Sequence, residues 1–298
     1  MLQKSTEAKN KIVEAEGLES IQLAVMASRD DKGINTTSLA KNLSEINGLT
    51  DINNSVITED TAITLPKSVK LNNVKYKIKE DGTVIMNNSI LPDEYQKIKY
   101  IESSGKQYIN TKVSPYGIYT YRWTGILSKT NALWGSYQSG KANSGTLYMG
   151  KVYCFGESTI ELPSEIFGTI STGEVIMNFD TLKTTVKVSN FEKELAVQNG
   201  NYPTQAIYLF AQANPNGGAE AFSTYKLNNF QMIINNVTIK NFIPCYSTTA
   251  VTDVNGKQCS AGTIGMYDTV EGKFYTNQGT GTFGYETEDG TYVEPTNN

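Results

Sequence analysis

"YIESSGKQYINT", residues 100–111, decides how the larger part of this chain is read. Tyr100 and Ile101, then Tyr108 and Ile109, put apolar residues into two short extended runs. Ser103, Ser104 and Gly105 interrupt them with turn-forming residues. The phrase reads as the first strand pair of a β domain, with Ser-Ser-Gly as its turn. Its four apolar residues are assigned to core and strand pairing rather than to ligand contact.

The same texture continues downstream. "TYRWTGIL", "ALWGSY", "TLYMGKVYCFG", "EVIMNF", "TVKVSNF", "AIYLFA", "FQMIINNVTIKNFI" and "IGMYDTVEGKFYTN" are short apolar-polar stretches separated by Gly, Asn, Pro or Ser. Asn235-Asn236 and Val270-Glu271-Gly272 read as hairpin turns. Strands at this spacing, with no helical period between them, predict an all-β sandwich over residues 91–298.

Upstream of Pro92 the texture changes. "STEAKNKIVEAEGLESIQLAVMASR" is rich in Ala, Glu, Lys and Leu and has no proline. It predicts one helix running to about Arg29, where Asp30-Asp31-Lys32-Gly33 ends it. Ala8, Ile12 and Ala15 keep the spacing of one helical face, broadened by Leu18, Val25 and Met26 and interrupted by Glu19. Glu7 and Lys11 form an i,i+4 pair. Gly17 costs the helix about 1 kcal/mol relative to alanine. A short second helix is expected near Ser38–Ile46, capped by Thr37 or Ser38. "VKYKIKEDGTVIM" then predicts a hairpin about Asp81-Gly82, pairing Ile78 with Ile85 and turning Tyr76 to the same inward face. Residues 1–88 are therefore an α+β domain, a long helix on a small antiparallel sheet. Asn87-Asn88-Ser89 is the linker.

Composition narrows the chemistry. The chain has 298 residues, enough for two cores, and a net charge of −4 without a long basic run. Nucleic acid is not an expected partner. There is no histidine. That excludes Ser-His-Asp triads, Cys-His pairs and HExxH zinc sites. Cys154, Cys245 and Cys259 form no CxxC pair; Cys245 and Cys259 either bridge across their loop or all three stay thiols. No apolar run approaches the ~20 residues a spanning helix needs. No cofactor or metal is implied, and Asp268 is assigned to its own turn rather than to calcium.

Two resemblances add to this reading. "MLQKSTEAKNKIVEAEGLESIQLAV" resembles the stretch after the hydrophobic anchor of type IV pilins and pseudopilins of Gram-positive bacteria. It implies a truncated soluble form of a longer chain, held to the membrane only through a missing N-terminal anchor helix. "LPDEYQKIKYIESSGKQYINT", "IYLFAQAN", "KNFIPCY" and "IGMYDTVEGKFYTNQGTGTF" together resemble, in order, a concanavalin A-like, LamG-type jelly-roll module. The chain departs from that pattern by a longer insertion between Pro244 and Gly265, which includes Cys259.

The combination implies a minor pilin, extracellular on a pilus, presenting a lectin-like domain for adhesion. Ala8, Ile12 and Ala15 would pack against other pilin subunits during filament assembly. Carbohydrate is the expected ligand, and Trp134, Tyr137, Gln138, Asn143 and Tyr148 are the candidate contacts, because aromatics interleaved with amides and glycines suit sugar faces. Trp123, in a more continuous strand, is assigned to the core; for Trp134 a core position between the sheets is the alternative. An enzyme is not expected. Glycoside hydrolases share this sandwich, but the nearest carboxylates, Glu161 and Glu165, are split by Pro163. The alternatives are a phage tail or cell-surface protein using the module for host glycans, and a pilus head that binds nothing.

Overall fold

A computed structural model describes residues 2–51, 54–72, 74–86, 91–138, 141–142, 146–156, 158–200 and 205–297; the side chains of 2–11, 137, 138, 141 and 142 are outside this description. The chain divides into two compact units, Met1–Ile90 and Leu91–Asn298.

In the first unit, helix α1 spans Leu2–Ala27. A two-residue ribbon, Arg29–Asp30 with Gly33–Ile34, follows it. Helix α2 covers Thr36–Ser44. Its cap is Asn35, not Thr37 or Ser38: the Asn35 carboxamide oxygen accepts the Ser38 N–H at 3.0 Å, and asparagine serves an N-cap as well as serine does. A four-stranded antiparallel sheet completes the unit, in the order Thr50–Asp51, Lys67–Leu71, Val74–Ile78, Val84–Met86.

The register of the last hairpin corrects the sequence reading. Ile78 pairs with Val84, and Ile85 faces Lys77. Val84 is therefore buried and Ile85 exposed. Lys79 and Thr83 close the loop through the Lys79 N–H and Thr83 carbonyl, and only Gly82 has a positive φ, +81°. The loop thus holds three residues, Glu80-Asp81-Gly82, where a two-residue turn was expected. One extra loop residue flips every following side chain to the other face.

Helix α1 carries two stripes. Gly17, Ile21, Ala24, Val25 and Ser28 are buried and meet α2 and the sheet in a core with Leu39, Leu43, Val69, Tyr76 and Ile78. Ile12, Ala15, Leu23 and Met26 continue on the opposite side, and all four are exposed, Met26 at 67%. Val25 and Met26, which broaden one face in the sequence, therefore part: Val25 joins the core and Met26 stays with Ile12. Successive residues turn by about 100°, which puts residues 12 and 21 on opposite sides of the helix. Gly17 is a packing residue: a Cβ there would overlap the hydroxyl of Tyr76, which donates to the Glu14 carbonyl at 3.0 Å. Glu7, Lys11 and Ala8 have side chains outside the described residues, as does the whole linker, Asn87–Ser89.

The second unit is a β-sandwich. Among the described residues the larger sheet has eleven strands and the smaller six. The larger is centred on Ile118–Ile126, flanked by Ile170–Asn178 and Lys226–Ile234 in antiparallel register. The smaller is centred on Ala132–Gly135 between Leu147–Tyr148 and Tyr208–Leu209. Alternate residues of both face inward. Tyr121, Trp123 and Phe230 from one sheet meet Trp134 from the other, with ring centroids 5.0 Å apart for Trp123–Trp134 and 5.4 Å for Trp134–Phe230. Such tilted aromatic pairs add to the area they bury.

"YIESSGKQYINT" is not a hairpin. Tyr95–Glu102 belongs to the larger sheet and Ile109–Asn110 to the smaller. The segment between them crosses from one sheet to the other. Gln107, fully buried, pins the crossing. Its carboxamide oxygen accepts from Ser103 Oγ, Ser104 N and Ser104 Oγ at 2.8–3.1 Å. Its Nε2 donates to the carbonyls of Thr280 and Thr296 at 3.1 and 2.7 Å. A buried carboxamide needs several partners. Those supplied here lie in both directions along the chain, which holds the strands apart instead of folding them together.

The other two hairpins form as the sequence predicts. Asn235 and Asn236 both take left-handed backbone, φ 49° and 65°, between paired Ile234 and Val237. Asp268 pairs with Lys273 across the turn containing Gly272. Cys154, Cys245 and Cys259 are free, buried thiols.

Candidate functional site

Of the predicted sugar-binding residues, Trp134 and Tyr148 have side chains among the described residues. Trp134 is fully buried between the sheets. Its ring faces Tyr121, Trp123 and Phe230 and offers no face to a ligand, which corrects its assignment as a stacking platform. The reason is strand alternation. Trp134 lies in Ala132–Gly135, a strand buried on both faces, so the polar-apolar alternation that marks an outward residue is missing. Tyr148 stays at the surface, half-buried, and meets Tyr153 edge-on at 6.3 Å. Tyr137 and Gln138 belong to a two-residue strand paired with Lys141–Ala142. Their side chains, and Asn143 altogether, lie outside the described residues.

A different place gathers polar groups around a concavity. A cleft of about 380 Å³ is lined by Lys257, Ser260–Ile264, Thr276, Asn277, Gly279 and Gly281–Phe283. One wall is the insertion between Pro244 and Gly265. The other is the phrase "TNQGTGTF", residues 276–283.

Each wall is fixed from below. In the insertion, Asp253 Oδ1 accepts the N–H groups of Asn255 and Lys257 at 2.8 and 2.9 Å. Its Oδ2 accepts the Thr276 hydroxyl at 2.6 Å, which ties the turn to the strand Lys273–Thr276. Burial alone would raise the Asp253 carboxyl pKa, but these hydrogen bonds hold it below the usual range. The Ser260–Thr263 loop is stapled to the end of strand Val237–Ser247: the Ser247 hydroxyl donates to the Ser260 carbonyl at 3.0 Å, and the Gly262 N–H to the Ser247 carbonyl at 2.7 Å.

The opposite wall rests on the opening phrase. Asn277 Oδ1 accepts the Tyr108 N–H at 3.1 Å and the Gly279 N–H at 2.8 Å; its Nδ2 donates to the Gly281 carbonyl at 2.8 Å. Gly279 passes so near the Lys106 carbonyl, and Gly281 so near that of Thr296, that neither position has room for a Cβ. The glycines of "NQGTGTF" therefore allow close backbone approach, as glycine does wherever a side chain would collide.

The result is a recess that mixes hydroxyls, one carboxamide, backbone amides and one lysine with the apolar side chains of Ala261, Ile264 and Phe283. No family model matches the chain, and no curated protein matches it. The reading of this cleft rests on its own chemistry. Among the described residues no group of three or more His, Cys, Asp and Glu side chains is placed to hold a metal ion. Asp268 serves its own turn through the Val270 N–H at 3.1 Å. Among the described residues no helix is long and apolar enough to cross a membrane.

The sequence signal for this cleft was the insertion itself. The segment adds a small ribbon, Val251–Thr252 with Gln258–Cys259, and the loops around it, and loops often carry binding. The pattern of aromatics and amides pointed instead to residues 131–153.

Proposed function

We propose that the chain belongs to a filament subunit, a minor pilin, whose β-sandwich presents the cleft beside Lys257 and Asn277 for adhesion to carbohydrate. The observation that carries the ligand class is the cleft's lining. Ser260, Thr263 and Thr282 set hydroxyls, and Lys257 an ammonium, at close spacing around glycine-lined space. Polyhydroxylated ligands are recognised by such groups beside apolar surface, and a shallow recess of this size suits a weak site used in many copies.

A glycan array with the whole chain tests this. Binding that disappears in Ala261→Trp, which fills the cleft, and persists in Tyr148→Ala supports the cleft. The reverse result assigns recognition to the Tyr148–Tyr153 surface. No binding by the intact protein to any glycan leaves the sandwich as a spacer.

The filament half of the proposal is supported by the outer stripe of α1. Ile12, Leu23 and Met26 are 58%, 58% and 67% exposed, three apolar side chains on one side of a helix, with Ala15 between them. Helices that pack in a filament need such a face, and small residues allow close approach. Charge at Ile12 (Ile12→Lys) in the protein expressed in its own cells is expected to abolish incorporation into pili. Unimpaired incorporation counts against the assembly role.

A further inference from the structure

The most unusual group in the sandwich is a buried lysine. Lys240 is 1% exposed, on the strand Val237–Ser247. Its Nζ lies 2.6 Å from Glu271 Oε1, 3.2 Å from Asp268 Oδ2 and 2.5 Å from the Tyr275 hydroxyl. Tyr275 in turn donates to Glu271 Oε2 at 3.0 Å, and Phe242 packs edge-on against the Tyr275 ring at 4.9 Å.

Asp268 is fully buried, and its two oxygens are treated differently. Oδ1 accepts two backbone N–H groups, Asn241 at 2.9 Å and Val270 at 3.1 Å. Oδ2 has no hydrogen-bond partner in acceptable geometry, although Nζ is beside it. A plain structural ion pair uses both carboxylate oxygens as acceptors, and a buried one is costly when it does not. Here the amine stands 3.2 Å from Oδ2, off the line of a settled hydrogen bond. The carbonyl-side oxygen is already held by two donors, as an oxyanion would be.

We propose that Lys240 and Asp268 condense into an intramolecular amide, with Glu271 as the proton carrier. The ammonium gives one proton to Asp268 Oδ2, which leaves a neutral amine and a neutral carboxyl. The Nζ lone pair attacks Asp268 Cγ, and the charge that develops on Oδ1 is held by the Asn241 and Val270 N–H groups. Glu271 removes a second proton from nitrogen and delivers it to the departing Oδ2 hydroxyl. The C–Oδ2 bond breaks, the C–Nζ bond remains, one water leaves, and Glu271 is again a carboxylate. No oxidant or other reactant is consumed. Amide formation from a free amine and acid is unfavourable in water, but groups held in contact react with effective concentrations of about 10⁵ M or more. The bond would join the strand Val237–Ser247 to the hairpin Ile264–Thr276, which are already paired from Phe242–Asp268 to Tyr246–Ile264.

Intact mass spectrometry of the purified, denatured whole chain tests this. The expected mass is that of the sequence less one water, with a protease-resistant branched peptide containing Lys240 and Asp268. Lys240→Arg and Glu271→Gln are expected at their full sequence masses. Asp268→Asn is expected to lose ammonia instead of water, because the same carbon then carries an amide leaving group. A wild-type chain at full mass overturns the proposal and leaves an ion pair. Water loss that persists in Lys240→Arg also overturns it, since an aspartate cyclised on its own backbone would do the same. If Lys240→Arg does not fold, Glu271→Gln decides alone: Glu271 is partly exposed, and an unchanged water loss in that variant removes it from the reaction and overturns its assigned role.

Discussion

At the residue scale, Asp253 shows how one buried carboxylate builds one wall of the cleft. It is 6% exposed and accepts three hydrogen bonds, from Thr276 Oγ1 and the N–H groups of Asn255 and Lys257. Its pKa is lowered despite burial. A group whose folded pKa is depressed adds stability above its unfolded pKa and loses it as pH falls through the folded value. Asp253 should therefore stabilise the sandwich at neutral pH and begin to lose that contribution below about pH 4, the unperturbed aspartate range. Asp253→Asn is expected to lower the urea midpoint at pH 7 and to flatten the acid side of the stability profile. An unchanged acid limb in that variant would show that other carboxylates set it.

At the element scale, α1 sets helix propensity against tertiary fit. Gly17→Ala gains about 1 kcal/mol in helix propensity. The new Cβ meets the Tyr76 hydroxyl, which is backed by the Glu14 carbonyl and a ring with no exposed surface. Overpacking of a full core costs about 1–3 kcal/mol, so the net effect is destabilising. Tyr76→Phe removes the atom nearest the new methyl group. The double variant should recover part of the loss in thermal or urea unfolding, a coupling that additive effects would not give. Gly17→Ala alone raising the midpoint would mean that the helix shifts freely on its sheet.

The hairpins make the same point about elements. Asn235-Asn236 was legible because two left-handed residues in a row are a property of asparagine itself. Asp81-Gly82 marked a turn but not its length. The Lys79–Thr83 closure, settled by which of Val84 and Ile85 the core accepts, decided the register.

At the scale of the whole molecule, each unit owns a core. The sandwich core runs from Ile98 to Phe283 and the first unit's from Ile21 to Val84, with no residue shared. A fragment of residues 91–298 is therefore expected to fold alone, with a cooperative thermal transition at the midpoint the sandwich shows in the whole chain. A fragment without a cooperative transition would show that the sandwich needs its N-terminal neighbour.

By itself the sequence determined what depends on neighbours along the chain. The long helix, the Asn235-Asn236 turn, the strand-rich texture after Pro92 and the exclusion of histidine chemistry all follow from local pattern or composition. Tertiary structure decided what depends on distant partners. The two runs of "YIESSGKQYINT" entered different sheets because buried Gln107 found its acceptors at Thr280 and Thr296, far away in sequence. Trp134 turned inward to pack on Tyr121, Trp123 and Phe230, a direction the sequence hid because a strand buried on both faces carries no alternation. Lys240, an unremarkable lysine in "VTIKNF", became the most enclosed cation among the described residues only when Asp268, Glu271 and Tyr275 closed around it. Local propensity is written residue by residue, whereas burial and hydrogen-bond satisfaction exist only between segments that the fold has already brought together.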